Sequence, residues 1–405
     1  MTHLTKFIFI LSLPFILLAE GNVFSNIPPA KIEIINVNPE SCDEDCLFDL
    51  SKNKKIFSFI ARFDRNIQDE KLQNLMMEYS SEVGIYYKVR FDLLGEKLEV
   101  ALLIPRKLIG KYSTTTTDTI LAYLLSRDLD FKFKVFDSVD ENPNSISNAL
   151  NEMRKEHFNF MIAIISKKET LDIIENINMP VYIPTMSNIN MSSRSDSNII
   201  FGGIDYFAQI KSLLNEVDSN IIISYNDDSQ LGLLLGNMLS QINDGNKKLI
   251  NEVVNNKAAT NFSSSLEKQK NNIEQSSVFL NTRVIISGLL LSQINMLDKL
   301  PQKIFSTQVN YNPALLSLLR GVNTDNIFII NSIGEINQKL LEYGYLLSSD
   351  MKYDWVNYST ALGVDLFLHN MAPNIDRYFN EEVNDNIVIY NNSLYGVENG
   401  LFVKL

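Results

Sequence analysis

The side chains best suited to chemistry are scarce in this sequence, with three histidines and two cysteines in 405 residues. His157 and His369 each fall in a stretch of helical spacing beside apolar residues. A packed or exposed helix histidine belongs there, and nothing nearby makes either one a general base. No Ser, His and Asp order fits a hydrolase, and Gly-x-Ser-x-Gly is absent. Gly-x-Gly-x-x-Gly and the phosphate loop are absent too. Gly202-Gly203 reads as a strand-end hinge, and Thr114 to Thr117 as a helix start where threonine is a normal N-cap. These residues give no enzyme, no cofactor site and no metal set.

The cysteines depend on the compartment. Lys6 precedes an apolar run from Phe7 to Leu18, followed by Ala19-Glu20-Gly21. That is the order of a secretory signal, and it assigns residues 1–21 to a cleaved leader and the chain to the periplasm. The run is shorter than the roughly 20 apolar residues of a membrane span, so no span is expected once the leader is removed. Edman sequencing of the mature protein should begin between about residues 20 and 26; a mature chain that retains Met1 would contradict the leader. In an oxidising compartment Cys42 and Cys46 favour a disulfide. A zinc site would need more ligands, and a thioredoxin-type motif would need two intervening residues where Ser-Cys-Asp-Glu-Asp-Cys has three.

Apolar residues make up 45% of the chain, enough for a sizeable core. The formal charge of −12 excludes a nucleic-acid partner, which needs a Lys/Arg surface to displace counterions. Residues 22–97 read as a small α/β extension, with strands at Lys31 to Val37, Ile56 to Phe63 and Ile85 to Phe91 and a helix at Asp69 to Val83. From Leu98 onward apolar strands alternate with amphipathic helices, the pattern of parallel sheets flanked by helices.

Particular segments in this order carry a resemblance. Val100-Ala101-Leu102-Leu103-Ile104-Pro105 looks like an opening strand ending in proline. Met179-Pro180-Val181-Tyr182-Ile183-Pro184-Thr185, the turn Asn226-Asp227-Asp228-Ser229-Gln230-Leu231-Gly232 and the tail Ser393 to Leu405 follow in sequence. Together they resemble the type I periplasmic binding proteins, the branched-chain amino acid receptor class, over residues 98–405. The resemblance implies a two-lobed α/β fold, with a near lobe of residues 98–203 and 334–405 and a far lobe of 204–333. Gly202, Gly203 and Gly334 are expected near the hinge, where glycine accepts changing backbone angles. The N-terminus of the Thr114 helix becomes a candidate anion site.

Ligands of parallel sheets sit at the carboxyl ends of strands. The candidates there are Arg106, Ser166, Thr185 and Ser187 in the near lobe, and Tyr225, Asp227, Asn281 and Thr282 in the far lobe. Hydroxyls would hold a carboxylate and Asp227 an ammonium. Arg106-Lys107 and Lys167-Lys168 stand where the family has small residues that let backbone N–H groups approach a ligand carboxylate. Those cations predict a wetter or shallower cleft mouth. Two functions follow. One is a non-enzymatic envelope protein that recognises a protein partner or regulates an envelope machine, as peptidoglycan-synthase activators of this fold do. The other is a receptor delivering an amino acid or similar small molecule to an ABC permease. The altered loops and the extension favour the first.

Overall fold

A computed structural model describes residues 41–64, 67, 69–83, 97–187, 198–255, 262–373 and 375–405. The expected leader, and the expected strands at 31–37 and 85–91, lie outside the described residues. The chain divides into two units, Met1–Leu93 and Leu94–Leu405.

Among its described residues the first unit is helical, with α1 (Glu44–Lys52), α2 (Ile56–Arg62) and α3 (Glu70–Glu82). Ile56 to Phe63 is therefore not a strand. Its Ile and Phe residues suit either structure, and packing decides: Phe59 is buried with Leu47, Leu50, Leu72 and Met76 of the flanking helices. Asp43 accepts from the Cys46 backbone N–H and starts α1. Cys42 and Cys46 are disulfide-bonded.

The near lobe of the second unit contains β1 (Leu98–Ile104), α4 (Arg106–Ile109), α5 (Tyr112–Ser126), β2 (Phe131–Asp137), α6 (Pro143–Met153), β3 (Phe160–Ala163), α7 (Lys168–Ile174), β4 (Val181–Ile183) and β5 (Ile199–Phe201). The far lobe follows with α8 (Tyr206–Asn215), β6 (Ile221–Asp227), α9 (Gln230–Asn243), β7 (Lys248–Val254), α10 (Ser263–Ile273), β8 (Ser276–Asn281), α11 (Val284–Ile294), β9 (Lys303–Ser306), a 3-10 turn (Gln308–Asn310), α12 (Pro313–Leu318) and β10 (Ile327–Asn331). The chain returns with α13 (Gln338–Leu346), α14 (Trp355–Met371), β11 (Glu382–Asn384) and β12 (Ile387–Ile389), and ends in β13 (Ser393–Glu398) and β14 (Leu401–Lys404).

Two seven-stranded, mostly parallel sheets result, ordered β11-β12-β5-β4-β3-β1-β2 and β14-β13-β10-β9-β8-β6-β7. Val100 and Ile222 therefore lie in different sheets, as two lobes require. Alternation along β1 shows why both sheet faces are covered. Leu98, Val100, Leu102 and Ile104 enter one core, and Ala101 and Leu103 the other.

The tail departs from the expected near-lobe assignment. β13 pairs antiparallel with β10, Ile329 facing Tyr395, so residues 393–405 belong to the far sheet. Phe402 stacks on Tyr311 at 4.6 Å and fixes the hairpin there.

Three segments join the lobes, 202–205, 332–337 and 390–392. Gly202 lies in the first of them, but its φ is not positive, so the reason for glycine is closeness and not backbone freedom. A Cβ there would stand 1.9 Å from the Tyr182 hydroxyl and 2.6 Å from Ser359 Oγ. The Gly202 carbonyl accepts from Ser359 Oγ at 2.8 Å and from the Tyr390 hydroxyl at 2.7 Å. These bonds anchor the first connection to α14 and to the third connection.

Candidate functional site

The strand-end residues named from the sequence are mostly engaged within the protein. Arg106 donates to Asp137 from its backbone N–H at 3.3 Å and from Nε at 2.8 Å. Tyr225 is fully buried, its ring edge-on to Phe262 at 4.9 Å, and burial pushes its phenol above the ordinary range. Asn281 donates to Asn226 Oδ1 at 2.9 Å, and the Thr282 hydroxyl pairs with Ser287 Oγ at 2.6 Å. The Thr185 hydroxyl donates to the Ile165 carbonyl. Ser187 Oγ is buried with no hydrogen-bond partner, as are the Tyr225 hydroxyl and Asn281 Oδ1.

Ser166 and Asp227 carry the main finding. The buried carboxylate of Glu141 accepts from the Ser166 backbone N–H at 3.0 Å, Ser166 Oγ at 2.7 Å, the Lys167 N–H at 2.8 Å and Thr170 Oγ1 at 3.0 Å. The N–H groups that the resemblance reserves for a ligand's carboxylate thus already hold one. In the far lobe Asp227, its side chain fully buried, accepts from the Arg283 backbone N–H at 2.8 Å and from Arg283 Nε at 3.0 Å. The carboxylate expected to meet an ammonium meets a guanidinium. Burial alone would raise the Asp227 pKa. Hydrogen bonds from the Ser229 hydroxyl, then from the Arg283 and Ser229 backbones, outweigh burial and hold it below the usual carboxylate range. Each of the two positions expected to meet a ligand charge is thus paired with the chain's own side chains.

Glu141→Ala should cost about 2–3 kcal/mol, because charge-assisted bonds vanish and buried donors lose their acceptor. Acetate should raise the melting temperature of that variant and leave the unmodified protein unchanged. An equal response of both proteins to acetate would refute the assignment.

The open space lies elsewhere in the same unit, between the lobes. It is a cleft of about 930 Å³ lined by α9, the starts of α5, α8 and α14, residues 308–312, and Thr185 and Ser187. Arg106, Lys107, Lys167 and Lys168 do not line it and are exposed, so these four residues do not form the expected cationic mouth. Asp354 caps α14 by accepting from the Val356 N–H at 3.1 Å, and lies 3.6 Å from Lys111 Nζ. Burial raises its pKa. Burial first, then the charge of Asp354 and a hydrogen bond to it, push the Tyr112 phenol up to about 12. Asp354 thus lies between Tyr112 and Lys111, whose side chain is largely exposed.

Thr114 to Thr117 do not cap α5, which begins at Tyr112. Thr116 Oγ1 and Thr117 Oγ1 donate back to the carbonyls of Tyr112 and Ser113. The start of α5 therefore lacks the side-chain cap that the sequence suggested.

Sequence reasoning missed the cleft's own walls. The Trp355 ring packs on Tyr390 at 4.6 Å. It also lines the cleft, with Nε1 buried and unpartnered. On α9, Gly232, Leu235, Gly236 and Leu239 face the sheet. Leu231, Leu234 and Met238 form a second apolar stripe facing the cleft. That stripe was readable as an excess of leucine beyond one core face.

No family model and no curated protein matches the chain. Solved structures do. The leucine-binding protein LivK of Thermotoga maritima is 13% identical with a TM-score of 0.54, over 76% of this chain and 97% of that one. LivJ of Streptococcus pneumoniae in complex with isoleucine is 12% identical with a TM-score of 0.52, over 76% and 100%. LpoA of Haemophilus influenzae is 12% identical with a TM-score of 0.50, over 86% and 67%. Leu94–Leu405 thus has the type I periplasmic-binding-protein fold, shared by amino acid binders and by LpoA.

Proposed function

We propose that this is a non-enzymatic binding protein of the cell envelope that recognises a protein partner and does not carry free amino acids. The observation that supports this most is the occupied grip. Glu141 fills the carboxylate-binding N–H groups, and Arg283 fills the ammonium-binding carboxylate. At those two strand ends a free amino acid would have to displace two buried, charge-assisted sets of bonds to bind. Export through residues 1–21 fits the Cys42–Cys46 disulfide, since such bonds persist in oxidising compartments. Among the described residues no helix is long and apolar enough to cross a membrane, and no group of His, Cys, Asp and Glu is arranged to hold a metal.

The second reading is a solute receptor serving an ABC permease, favoured by the fold shared with LivK and LivJ. A thermal-shift screen separates the two. A receptor ligand at 100 times its dissociation constant adds about 2.7 kcal/mol to stability. The partner reading expects no stabilisation by any of the twenty amino acids, and a protein recovered by cross-linking in intact envelopes. Clear stabilisation by an amino acid would overturn it in favour of transport.

A further inference from the structure

We infer that the groove between α9 and the start of α14 takes an extended peptide segment with apolar side chains. This rests on the reading above, that the cleft serves a partner and not a free amino acid. Size comes first. The cleft's 930 Å³ lies at the upper end of pockets that hold drug-sized molecules, well beyond one amino acid. Its wall on α9 runs from Leu231 to Gln241, which at helical rise is about 15 Å. An extended strand covers that length in about four or five residues.

The lining has the chemistry of a peptide site. Leu231, Leu234 and Met238 offer an apolar stripe, and Leu234 is 45% exposed although the helix already has a buried face. Two other lining residues carry buried donors without acceptors, Trp355 Nε1 and Ser187 Oγ. A buried donor left unpaired costs about 1–3 kcal/mol, and a backbone carbonyl of a bound strand relieves that cost. An acyl chain would cover the leucines and leave both donors unpaired. Among the described residues, the charged groups lining the cleft are Lys111 and Asp354, which lie 3.6 Å apart. The site therefore selects for neutral, apolar side chains over charged ones.

Trp355 is the only tryptophan in the chain, so its emission reports on this cleft alone. The full mature protein is titrated with a pool of N-acetylated, C-amidated pentapeptides built from Leu, Phe, Val and Ala. A matched pool built from Asp, Lys, Ser and Gly is the comparison. The apolar pool should shift Trp355 emission saturably and the polar pool should not. Leu234→Asp, at an exposed position that leaves folding intact, should weaken the response at least about tenfold. Trp355→Phe keeps the ring and loses the N–H, and should weaken peptide-induced thermal stabilisation about three- to tenfold. No saturable response to the apolar pool, an unchanged response in Leu234→Asp, or a response to lauryl detergent in place of peptide would each overturn the inference. If peptides fail while cross-linking still recovers a partner, the groove is wrong and the partner reading stands. A saturable response to free leucine or isoleucine would overturn the partner reading itself.

Discussion

Asp365→Ala is expected to lower the unfolding free energy of the two-lobed unit by about 3–5 kcal/mol, the cost of stripping a buried charge of its counterion. Asp365 lies on α14 with its side chain fully buried, and Arg127, just after α5, is 2% exposed. Asp365 Oδ1 accepts from Arg127 Nη2 at 2.7 Å, from the Tyr123 hydroxyl at 2.8 Å and from the Tyr378 backbone N–H at 2.8 Å. Oδ2 accepts from Arg377 Nε at 3.1 Å. The Arg127 guanidinium also lies 3.3 Å from the centroid of the Tyr378 ring and donates to the Asp376 carbonyl at 2.7 Å. One carboxylate thus ties α5, α14 and residues 376–378 together. Alanine would leave the Arg127 charge in a low-dielectric site with no way out to water.

Urea unfolding measures the loss. The double variant Asp365→Leu, Arg127→Met should recover much of it, since a well-packed apolar pair often matches a buried ion pair. A single-variant loss below about 1 kcal/mol would show that the pair is hydrated and the assignment wrong. None of the members of this network lines the cleft.

The architecture was legible because it rests on short-range pattern. Alternating burial in β1, and strands recurring between amphipathic helices, need no distant partner to be read. Ile56–Arg62 was not legible for the opposite reason. Its residues suit helix or strand, and the choice is made by Leu47 and Leu72, which lie outside any local window. The final hairpin likewise took its lobe from a stack between Tyr311 and Phe402.

The candidate site shows the same limit more sharply. Position at a strand end was readable for Ser166 and Asp227. That Glu141 and Arg283 already serve them was not, since these partners lie 25 and 56 residues away. Strand-end geometry says where a polar group faces, and only the fold says what faces it.

Asp227 therefore decides between an occupied grip and an available one. Its Oδ2 holds the Arg283 backbone N–H and Nε, and its Oδ1 accepts from the Ser229 backbone N–H at 3.0 Å and from the Ser229 hydroxyl. Ser229 in turn caps α9 by accepting from the Gly232 N–H at 3.1 Å. A Cβ on residue 232 would stand 2.3 Å from Asp227 Oδ1, so glycine makes room for the carboxylate. Asp227→Ala should cost about 2–4 kcal/mol, by loss of charge-assisted bonds and of the support beneath the α9 cap. The folded pKa lies below the ordinary value near 3.9. The charged form's contribution is thus fully present above about pH 5 and is lost as pH falls through the unfolded value toward the folded one. The gap in urea stability between the unmodified protein and Asp227→Asn should be constant from pH 7 to 5 and shrink below about pH 4. A carboxylate kept free for a ligand's ammonium would behave differently. Its removal would leave the unfolding midpoint unchanged and abolish ligand-induced stabilisation, and that result would return the protein to the receptor class.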